Sequence, residues 1–292
     1  MDNAIAVLSA IGAALFWGVP QAVSKLGLAR MDLVTYAAIR AAFALLFIIP
    51  YGLLTKGFSY ADPALIGMAA FAGFIDSFLG TMLYMYALKR GEAHGAATLA
   101  NTAPFWGVVT AVLCLGEPPR ASLLLAGALV PVGAYLLIFP GEKVGNRPPV
   151  SARLAALGAA LLWGVAETGP AKYCLDRGMS PIEFQLILVG AAALSWWAVA
   201  LLPSPRRNRH ITRSGLGIAL FTAVTGFFLG WLLWLYGLQF SKASVLSPIR
   251  GGMMTLFAFL TSLLLLRERP TRRSWIGAAL ACAGVVLAST TM

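Results

Sequence analysis

The sequence predicts an all-α membrane protein, with ten transmembrane helices in two inverted five-helix repeats around a central cavity. Three observations lead to this prediction: the composition, an internal repeat and an odd number of apolar runs in each copy. Hydrophobic residues make up 59% of the 292 residues and charged residues only 11%, and the mean hydropathy is +0.81. Because soluble domains carry about 25% charged residues, a soluble protein of this composition would lack the polar surface to cover itself.

The internal repeat is clearest in two matching pairs of segments. Residues 78–88 read FLGTMLYMYAL and residues 228–238 read FLGWLLWLYGL, at an offset of 150 residues. A second pair, GAALFWGV at 12–19 and GAALLWGV at 158–165, has an offset of 146 residues. The chain is therefore two copies of one unit of roughly 145 residues. That period is too long for a solenoid and suits a membrane protein built of two halves.

Each copy contains five apolar runs of about 20 residues, the length that a spanning helix needs. The runs are 4–26, 32–54, 63–88, 95–115 and 120–139 in the first copy, and 153–174, 180–202, 214–238, 243–266 and 273–290 in the second. The connections carry turn residues, as in GFSYADP and GEPPR. We therefore divide the chain into a first five-span repeat at 1–140, a linker at 141–152 and a second five-span repeat at 153–292.

The odd number of spans per copy determines how the copies relate. Two successive copies of a five-span unit cross the membrane in opposite senses, so the halves are inverted repeats about a pseudo-two-fold axis in the membrane plane. Secondary transporters use this architecture and bind substrate near the midplane, where the repeats meet. Exchanging the conformations of the two halves would turn an outward-facing cavity inward, which is what alternating access requires.

The formal net charge is +11, and most Lys and Arg residues lie in short connections between the apolar runs. Two clusters are at 206–213 and 267–273. Such connections set membrane topology and attract anionic lipid headgroups. The expected partners are therefore membrane lipids and a small-molecule substrate, and not nucleic acid. By the positive-inside rule, the charge count favours both termini on the outside.

Patterns that would indicate other chemistry are missing. Cys114, Cys174 and Cys282 are isolated and have neither metal nor disulfide spacing. The sequence has no HExxH, GxSxG or P-loop motif, so we expect no enzyme activity, cofactor, metal site or direct ATP drive. The N-terminus lacks the basic region and the clear cleavage site of a signal peptide and is interpreted as a retained first span.

Ordered motifs in both copies are similar to those of a known family. The first copy has Trp17–Gly18, Arg40-x-x-x-Ala44, Tyr86-Ala87-Leu88, Pro104 and Leu115-Gly116-Glu117, and the second has Trp163–Gly164, Tyr236-x-Leu238, Glu268 and Gly277. In their order and doubling they resemble the drug/metabolite transporter superfamily, of the ten-span, two-repeat (EamA) type. The copies differ where Gly190 stands in place of the partner of Arg40, and Met254 in place of that of Pro104. An asymmetric substrate site is therefore expected.

The resemblance implies a multi-pass exporter of the bacterial inner membrane that moves amino acids and related small metabolites. Its similarity to aromatic amino acid exporters makes aromatic amino acids a candidate substrate class. It also implies that both termini are cytoplasmic, opposite to the charge count, so the orientation stays open. We expect a monomer. Glu117 and Glu268, at the ends of spans four and nine, are interpreted as capping or gating charges.

Three ionisable residues inside spans are the main candidates for a substrate site, since a charge in mid-membrane costs about 2.5–3.5 kcal/mol. Asp76, halfway along span three, would bind a substrate amine or a proton, or else pair with a neighbouring helix. Glu167 precedes the Gly169–Pro170 step, where a helix break is expected, and Gln21 lies in the equivalent region; the alternative is a kink with solvated charges. Arg250 would hold a substrate carboxylate, or else snorkel or pair with an acid such as Asp76.

Neutral polar and aromatic side chains complete the predicted site. Thr98 and Asn101 in span four would supply hydrogen bonds. The predicted cavity walls are the aromatic residues Trp17, Tyr84, Trp163, Trp231 and Trp234. An aromatic belt at the lipid interface is the alternative for the tryptophans, and it is stronger for Trp196 and Trp197.

These features together favour a secondary exporter that works by alternating access. The alternatives are a broad-specificity drug/metabolite uniporter or channel-like facilitator and, with less support, a membrane-embedded enzyme. Proton coupling and uniport are both compatible with the sequence.

Overall fold

The computed structural model describes residues 2–58, 62–90, 99–138, 149–203, 211–265 and 271–291. These residues form helices joined by turns. The first copy contains α1 (Asp2–Leu28), α2 (Leu33–Leu54), α3 (Pro63–Gly73), the π-helical segment π1 (Phe74–Gly80), α4 (Thr81–Arg90), α5 (Ala103–Leu115) and α6 (Ala121–Ile138). The second contains α7 (Val150–Asp176), α8 (Pro181–Leu201), α9 (Arg213–Thr222), π2 (Ala223–Gly230), α10 (Trp231–Phe240), α11 (Ala243–Leu265) and α12 (Arg272–Ser289).

Six helices of the described residues are long and apolar enough to cross a membrane. They are Asp2–Pro20, Leu33–Leu54, Pro63–Ala87, Val150–Asp176, Pro181–Leu201 and Arg213–Phe240. Two of these are compound, since α3, π1 and α4 follow one another without interruption, as do α9, π2 and α10. The protein is therefore a multi-pass membrane protein.

The fourth predicted span, 95–115, is described from residue 99 onward. Leu99 and Ala100 are helical, Asn101 and Thr102 form a turn, and α5 follows from Ala103. Pro104 lies in the first turn of α5, where its missing N–H costs no helical hydrogen bond and its fixed φ suits the helix. The proline therefore suits the start of the helical segment that follows the turn.

The break expected at Gly169–Pro170 is wrong. Helix α7 runs without interruption from Val150 to Asp176 through Pro170. Glu167, Thr168, Gly169 and Pro170 are all buried, so the packing of neighbouring helices on this turn offsets the loss of one backbone hydrogen bond. The helical ladder changes instead at π1 and π2, which hold the equivalent positions of the two third spans.

Short polar side chains begin several helices. Asp32, for example, accepts hydrogen bonds from the backbone N–H groups of Val34 (3.1 Å) and Thr35 (3.3 Å), as an N-cap does. Glu117 acts across helices, because its carboxylate accepts from the N–H groups of Ala243 (2.8 Å) and Ser244 (3.0 Å) at the start of α11. This contact agrees with the capping interpretation of Glu117, while Glu268 lies outside the described residues.

The two copies exchange their first helices. Helix α1 packs on α9, π2, α10 and α11 of the second copy and only weakly on α2. Helix α7, its counterpart, packs on α3, π1, α4 and α5 of the first copy. The core is therefore an interlocked bundle in which the first helix of each copy completes the other one.

Equivalent helices from the two copies pack antiparallel. A Cβ added at Gly133 of α6 would lie 2.6 Å from the carbonyl oxygen of Gly277 near the start of α12, and one added at Gly284 would lie 3.1 Å from that of Ala126. The missing side chains let these backbones approach closely. Helices α2 and α8 are likewise antiparallel, since Trp197, near the end of α8, donates to the carbonyl oxygen of Ala38 at 3.1 Å, near the start of α2.

Candidate functional site

A cavity of about 180 Å³ lies between the two copies and is lined by both. Eight of the residues predicted for the site line it: Trp17, Asp76, Tyr84, Asn101, Trp163, Glu167, Trp231 and Arg250. Trp234 is not in the lining but packs behind it on Trp17, with 6.3 Å between the ring centroids. Thr98 and the side chain of Gln21 lie outside the described part of the chain.

The two π-helical segments are held by indoles from the opposite copy. Trp17 of α1 donates its Nε1–H to the carbonyl oxygen of Gly226 in π2 at 2.9 Å. Trp163 of α7 donates to that of Asp76 in π1 at 3.1 Å. The accepting residues are 150 positions apart, the offset of the repeat. The same contact is thus made twice, each time between copies, and it satisfies a carbonyl that lies where the helical ladder changes.

A glycine ends each π-helical segment directly beside the indole. A Cβ added at Gly80 would lie 2.8 Å from Nε1 of Trp163, and one added at Gly230 would lie 2.6 Å from Nε1 of Trp17. The absence of a side chain therefore lets each indole reach its carbonyl. These two glycines belong to the FLG triplets that revealed the repeat.

The polar centre of the second copy is a buried ion pair. Arg250 of α11 pairs with Glu167 of α7, and their side chains are only 3% and 12% exposed. The guanidinium carbon lies 4.8 Å from the ring centroid of Trp17 and 4.9 Å from that of Trp234, within cation–π range. Trp234 also donates to the carbonyl oxygen of Glu167 at 2.7 Å. The acid that neutralises Arg250 is therefore Glu167 and not Asp76, and Glu167 is buried, not solvated at a kink.

Asp76 is the carboxylate of π1 and is 5% exposed. The hydroxyl of Ser77 donates to its Oδ2 at 2.7 Å. Its Oδ1 has no hydrogen-bond partner among the described residues. Since a buried carboxylate oxygen without a partner is costly, a donor brought into the cavity would stabilise it.

Arg40 of α2 is the charged residue that the sequence analysis did not place at the site. It lines the cavity, and its guanidinium carbon lies 3.9 Å from the ring centroid of Phe227 in π2. Its Nε has no hydrogen-bond partner in the described part of the chain. The signal was present in the sequence, because an arginine inside an apolar run is costly.

Two further polar contacts that the sequence did not predict order the walls around Arg40. The hydroxyl of Tyr36 shares a 2.8 Å hydrogen bond with that of Thr222. The amide of Gln185 in α8 donates to the carbonyl oxygens of Phe227 (2.6 Å) and Phe228 (2.7 Å) in π2. These contacts fix the ring on which Arg40 stacks.

The aromatic belt predicted for Trp196 is wrong. Trp196 is 1% exposed, and it donates to the carbonyl oxygen of Ser77 in π1 at 2.9 Å. Trp197 is 36% exposed and faces away from this core. Trp196 therefore supports the segment that carries Asp76, because α8 packs on π1.

The lining of the site is mostly apolar and includes a few charged side chains. Within the described residues, no group of three or more His, Cys, Asp and Glu side chains is placed to hold a metal ion. The lining combines aromatic and aliphatic walls with four charged side chains, Arg40, Asp76, Glu167 and Arg250. Such a lining fits a small amphipathic molecule.

The sequence matches the model of the EamA-like transporter family twice, over residues 4–139 and 150–290. The chain belongs to the EamA-like transporter family. The two matches correspond to the two copies of the repeat, so this member of the family is a doubled EamA unit.

Two relatives carry the description of transporter. The uncharacterized transporter YvbV of Bacillus subtilis (strain 168) is 27% identical over 144 residues, which are 48% of this chain and 47% of that protein. An uncharacterized transporter of Archaeoglobus fulgidus is 23% identical over 267 residues, 90% of each chain. The match thus spans about half the length of the first relative and most of the second. Both descriptions fit a protein that is not an enzyme.

A solved crystal structure shares the fold. It superposes with a TM-score of 0.81 over 98% of this chain and 96% of its own, at 18% sequence identity. The likeness shows that the interlocked arrangement of this EamA-family protein is a known fold.

Proposed function

We propose that this EamA-family protein is a secondary transporter of the bacterial inner membrane. It exports amino acids, aromatic amino acids among them, and related small metabolites by alternating access, and it works as a monomer. The observation that carries the proposal is the cavity between the interlocked copies, with aromatic walls and a carboxylate oxygen of Asp76 that lacks a partner among the described residues.

The proposed topology is ten spans in two inverted repeats, joined by a linker at 141–152. In it, α3–π1–α4 and α9–π2–α10 each form one span. The antiparallel packing of α6 on α12 supports the inversion, because a two-fold axis that relates two antiparallel helices is perpendicular to them. The reciprocal contacts of Trp17 and Trp163 with the opposite copy support the two-fold relation.

The lining supports an amphipathic substrate of small size. Trp17, Trp163 and Trp231 offer flat apolar surface, while Asp76 offers a charge. In repeat transporters the substrate site lies between the halves, and this cavity occupies that place. An aromatic amino acid combines the flat apolar ring and the charged head that such a lining would recognise.

The test is transport by the purified protein in lipid vesicles. We expect the flux of radiolabelled phenylalanine to saturate with concentration, and we expect Asp76→Asn and Arg250→Ala each to reduce it at least ~10-fold. Flux that does not saturate would indicate a channel, and the absence of flux for amino acids and amphipathic drugs alike would contradict transport. Trp275→Phe, at a side chain that is 58% exposed, is the control. Running the assay with and without a pH gradient distinguishes proton coupling from uniport.

A further inference from the structure

The charges around the cavity are unequal in how far they are satisfied. Glu167 and Arg250 neutralise each other, and Arg250 is also covered by two indoles. Asp76 and Arg40, by contrast, have no ion pair among the described residues. Oδ1 of Asp76 and Nε of Arg40 also lack a hydrogen-bond partner there, as do Oε2 of Glu167 and Nε of Arg250, so the ion pair is what distinguishes the two sets. One anion and one cation are therefore available to a ligand.

We propose that Asp76 and Arg40 together bind the two charged ends of a zwitterion, with the substrate ammonium on Asp76 and the substrate carboxylate on Arg40. The inference rests on the proposed transport function and assigns the recognition of the substrate within it. It replaces Arg250, which the sequence favoured as the carboxylate receptor, with Arg40, because Arg250 already has a carboxylate partner.

The sum of the charges favours a ligand of no net charge. The described charged residues of the lining are two arginines and two acids, so the empty cavity is balanced. A zwitterion leaves that balance unchanged. A simple amine or a simple acid would add an uncompensated charge to a site that is shielded from water, which is expensive.

The chemistry of the two groups suits the two ends. An ammonium has three donors and no acceptor, and the oxygen of Asp76 without a partner is an acceptor. A guanidinium presents N–H groups in a planar fork that matches a carboxylate. Arg40 is held by its ring contact with Phe227 at 3.9 Å, so less side-chain freedom is lost when the carboxylate binds.

Asp76 and Arg40 would also connect substrate binding to the two π-helical segments. Asp76 is in π1, whose backbone accepts from Trp163 of the second copy, and Arg40 stacks on Phe227 of π2. A zwitterion held by both would contact the π-helical segments of both copies, directly through Asp76 and indirectly through the ring under Arg40. A ligand with only one charged end would engage one of them.

The test compares three ligands that share a phenyl ring in vesicles that contain the purified protein. Phenylalanine has both charges, phenethylamine only the ammonium and 3-phenylpropionate only the carboxylate. Each is used to inhibit the transport of radiolabelled phenylalanine. For the wild type we expect phenylalanine to inhibit at least ~10-fold more strongly than either single-charge ligand.

Two variants test the binding of the carboxylate end and of the ammonium end separately. Arg40→Gln is expected to weaken inhibition by phenylalanine and 3-phenylpropionate at least ~10-fold and to leave phenethylamine unchanged. The isosteric Asp76→Asn is expected to weaken phenylalanine and phenethylamine and to leave 3-phenylpropionate unchanged. Where residual transport is too low, the same ligands are compared by the thermal stabilisation that they give the protein.

Matched controls lie outside the cavity. Arg177 also stacks on an aromatic ring, 3.5 Å from the centroid of Tyr173, and Asp176 is an acid in the exposed pair with Lys172. Arg177→Gln and Asp176→Asn should leave all three ligands unaffected. Equal loss of all three ligands in Arg40→Gln and Asp76→Asn, or unchanged binding of phenylalanine in either, overturns the inference while the transport function stands. A wild type that transports and binds none of them overturns both.

Discussion

The third spans of the two copies have the same framework and different chemistry. Both contain a π-helical segment, both accept an indole hydrogen bond from the first helix of the other copy, and both place a glycine under that indole. The accepting residue, however, is Asp76 in one copy and Gly226 in the other. On the preceding span, Arg40 in the first copy has Gly190 as its counterpart in the second.

The difference separates two tasks. What the copies share is the contact between the first helix of one copy and the π-helical segment of the other, which we call the joint. A shared joint is expected if each half has to make the same movement in opposite directions. What they do not share is charge, as expected of a site that binds one asymmetric molecule. The ion pair of Glu167 with Arg250 follows the same rule, because Gln21 is neutral at the position equivalent to Glu167.

The largest expected effect comes from breaking the ion pair that only the second copy has. Glu167→Gln leaves the buried Arg250 without its counter-charge, and breaking such a pair costs about 3–5 kcal/mol. We expect a large fall in the melting temperature of the detergent-solubilised protein. The fall is measured by heating the protein and quantifying the fraction that still elutes as a single peak in size-exclusion chromatography. Asp176→Asn, which breaks the exposed pair with Lys172, should have almost no effect. Similar melting temperatures for the two variants would show that the buried pair does not stabilise the fold.

The double variant Glu167→Leu/Arg250→Met sharpens this comparison. Replacing both partners removes the uncompensated charge, and apolar replacements of buried pairs are often tolerated. We therefore expect the melting temperature to recover in part and transport to stay low, since the apolar variant alters the lining of the cavity.

The next effect addresses what the copies share. Gly80→Ala and Gly230→Ala each place a methyl group within 3 Å of an indole, and overpacking of this kind costs about 1–3 kcal/mol. We expect two destabilised proteins with similar losses. Gly67→Ala and Gly217→Ala are the matched controls, because nothing lies within 4 Å of a Cβ at either helical position, and there alanine should be neutral or slightly stabilising. A large loss for only one of Gly80 and Gly230 would contradict the equivalence of the joints.

The sequence predicted the apolar helices and the repeat well, and the contacts between their side chains poorly. Apolar runs, the repeat and mid-span charges are local features, so the helix bounds and the candidates Asp76, Glu167 and Arg250 could be read directly. No residue type marks a π-helical segment, and π1 and π2 were therefore not expected. The pairing of Glu167 with Arg250 depends on α7 lying against α11. Such a contact between helices is a long-range property that spacing does not encode.

Arg40 is a second residue whose neighbours the sequence did not predict. The sequence placed it in the Arg40-x-x-x-Ala44 motif of the first copy, and its place at the cavity became visible only once α2 was seen to pack on π2. Asn101, predicted in span four, lines the cavity from a turn between Ala100 and α5. In both cases the residue type was informative, and only the structure showed which helices lie beside the residue.

The smallest expected effect removes one hydrogen bond from each joint. Trp17→Phe and Trp163→Phe keep an aromatic ring and delete the Nε1–H, which leaves the carbonyl of Gly226 or Asp76 without this donor. Loss of such a bond costs about 1 kcal/mol. We expect equal, modest falls in melting temperature and a slower turnover, measured beside Trp275→Phe as the exposed control. If one variant lowers the melting temperature and the other leaves it unchanged, the two joints are not equivalent.

Alternating access of the shared cavity is tested most directly by the accessibility of Thr81, which lines it. A Thr81→Cys variant is made in a background where Cys114, Cys174 and Cys282 are replaced by alanine. It is then exposed to a membrane-impermeant thiol reagent from one side of the vesicle or the other. We predict labelling from both sides, with phenylalanine changing the two rates in opposite directions. Labelling from one side only, or two rates that rise and fall together, would contradict alternating access.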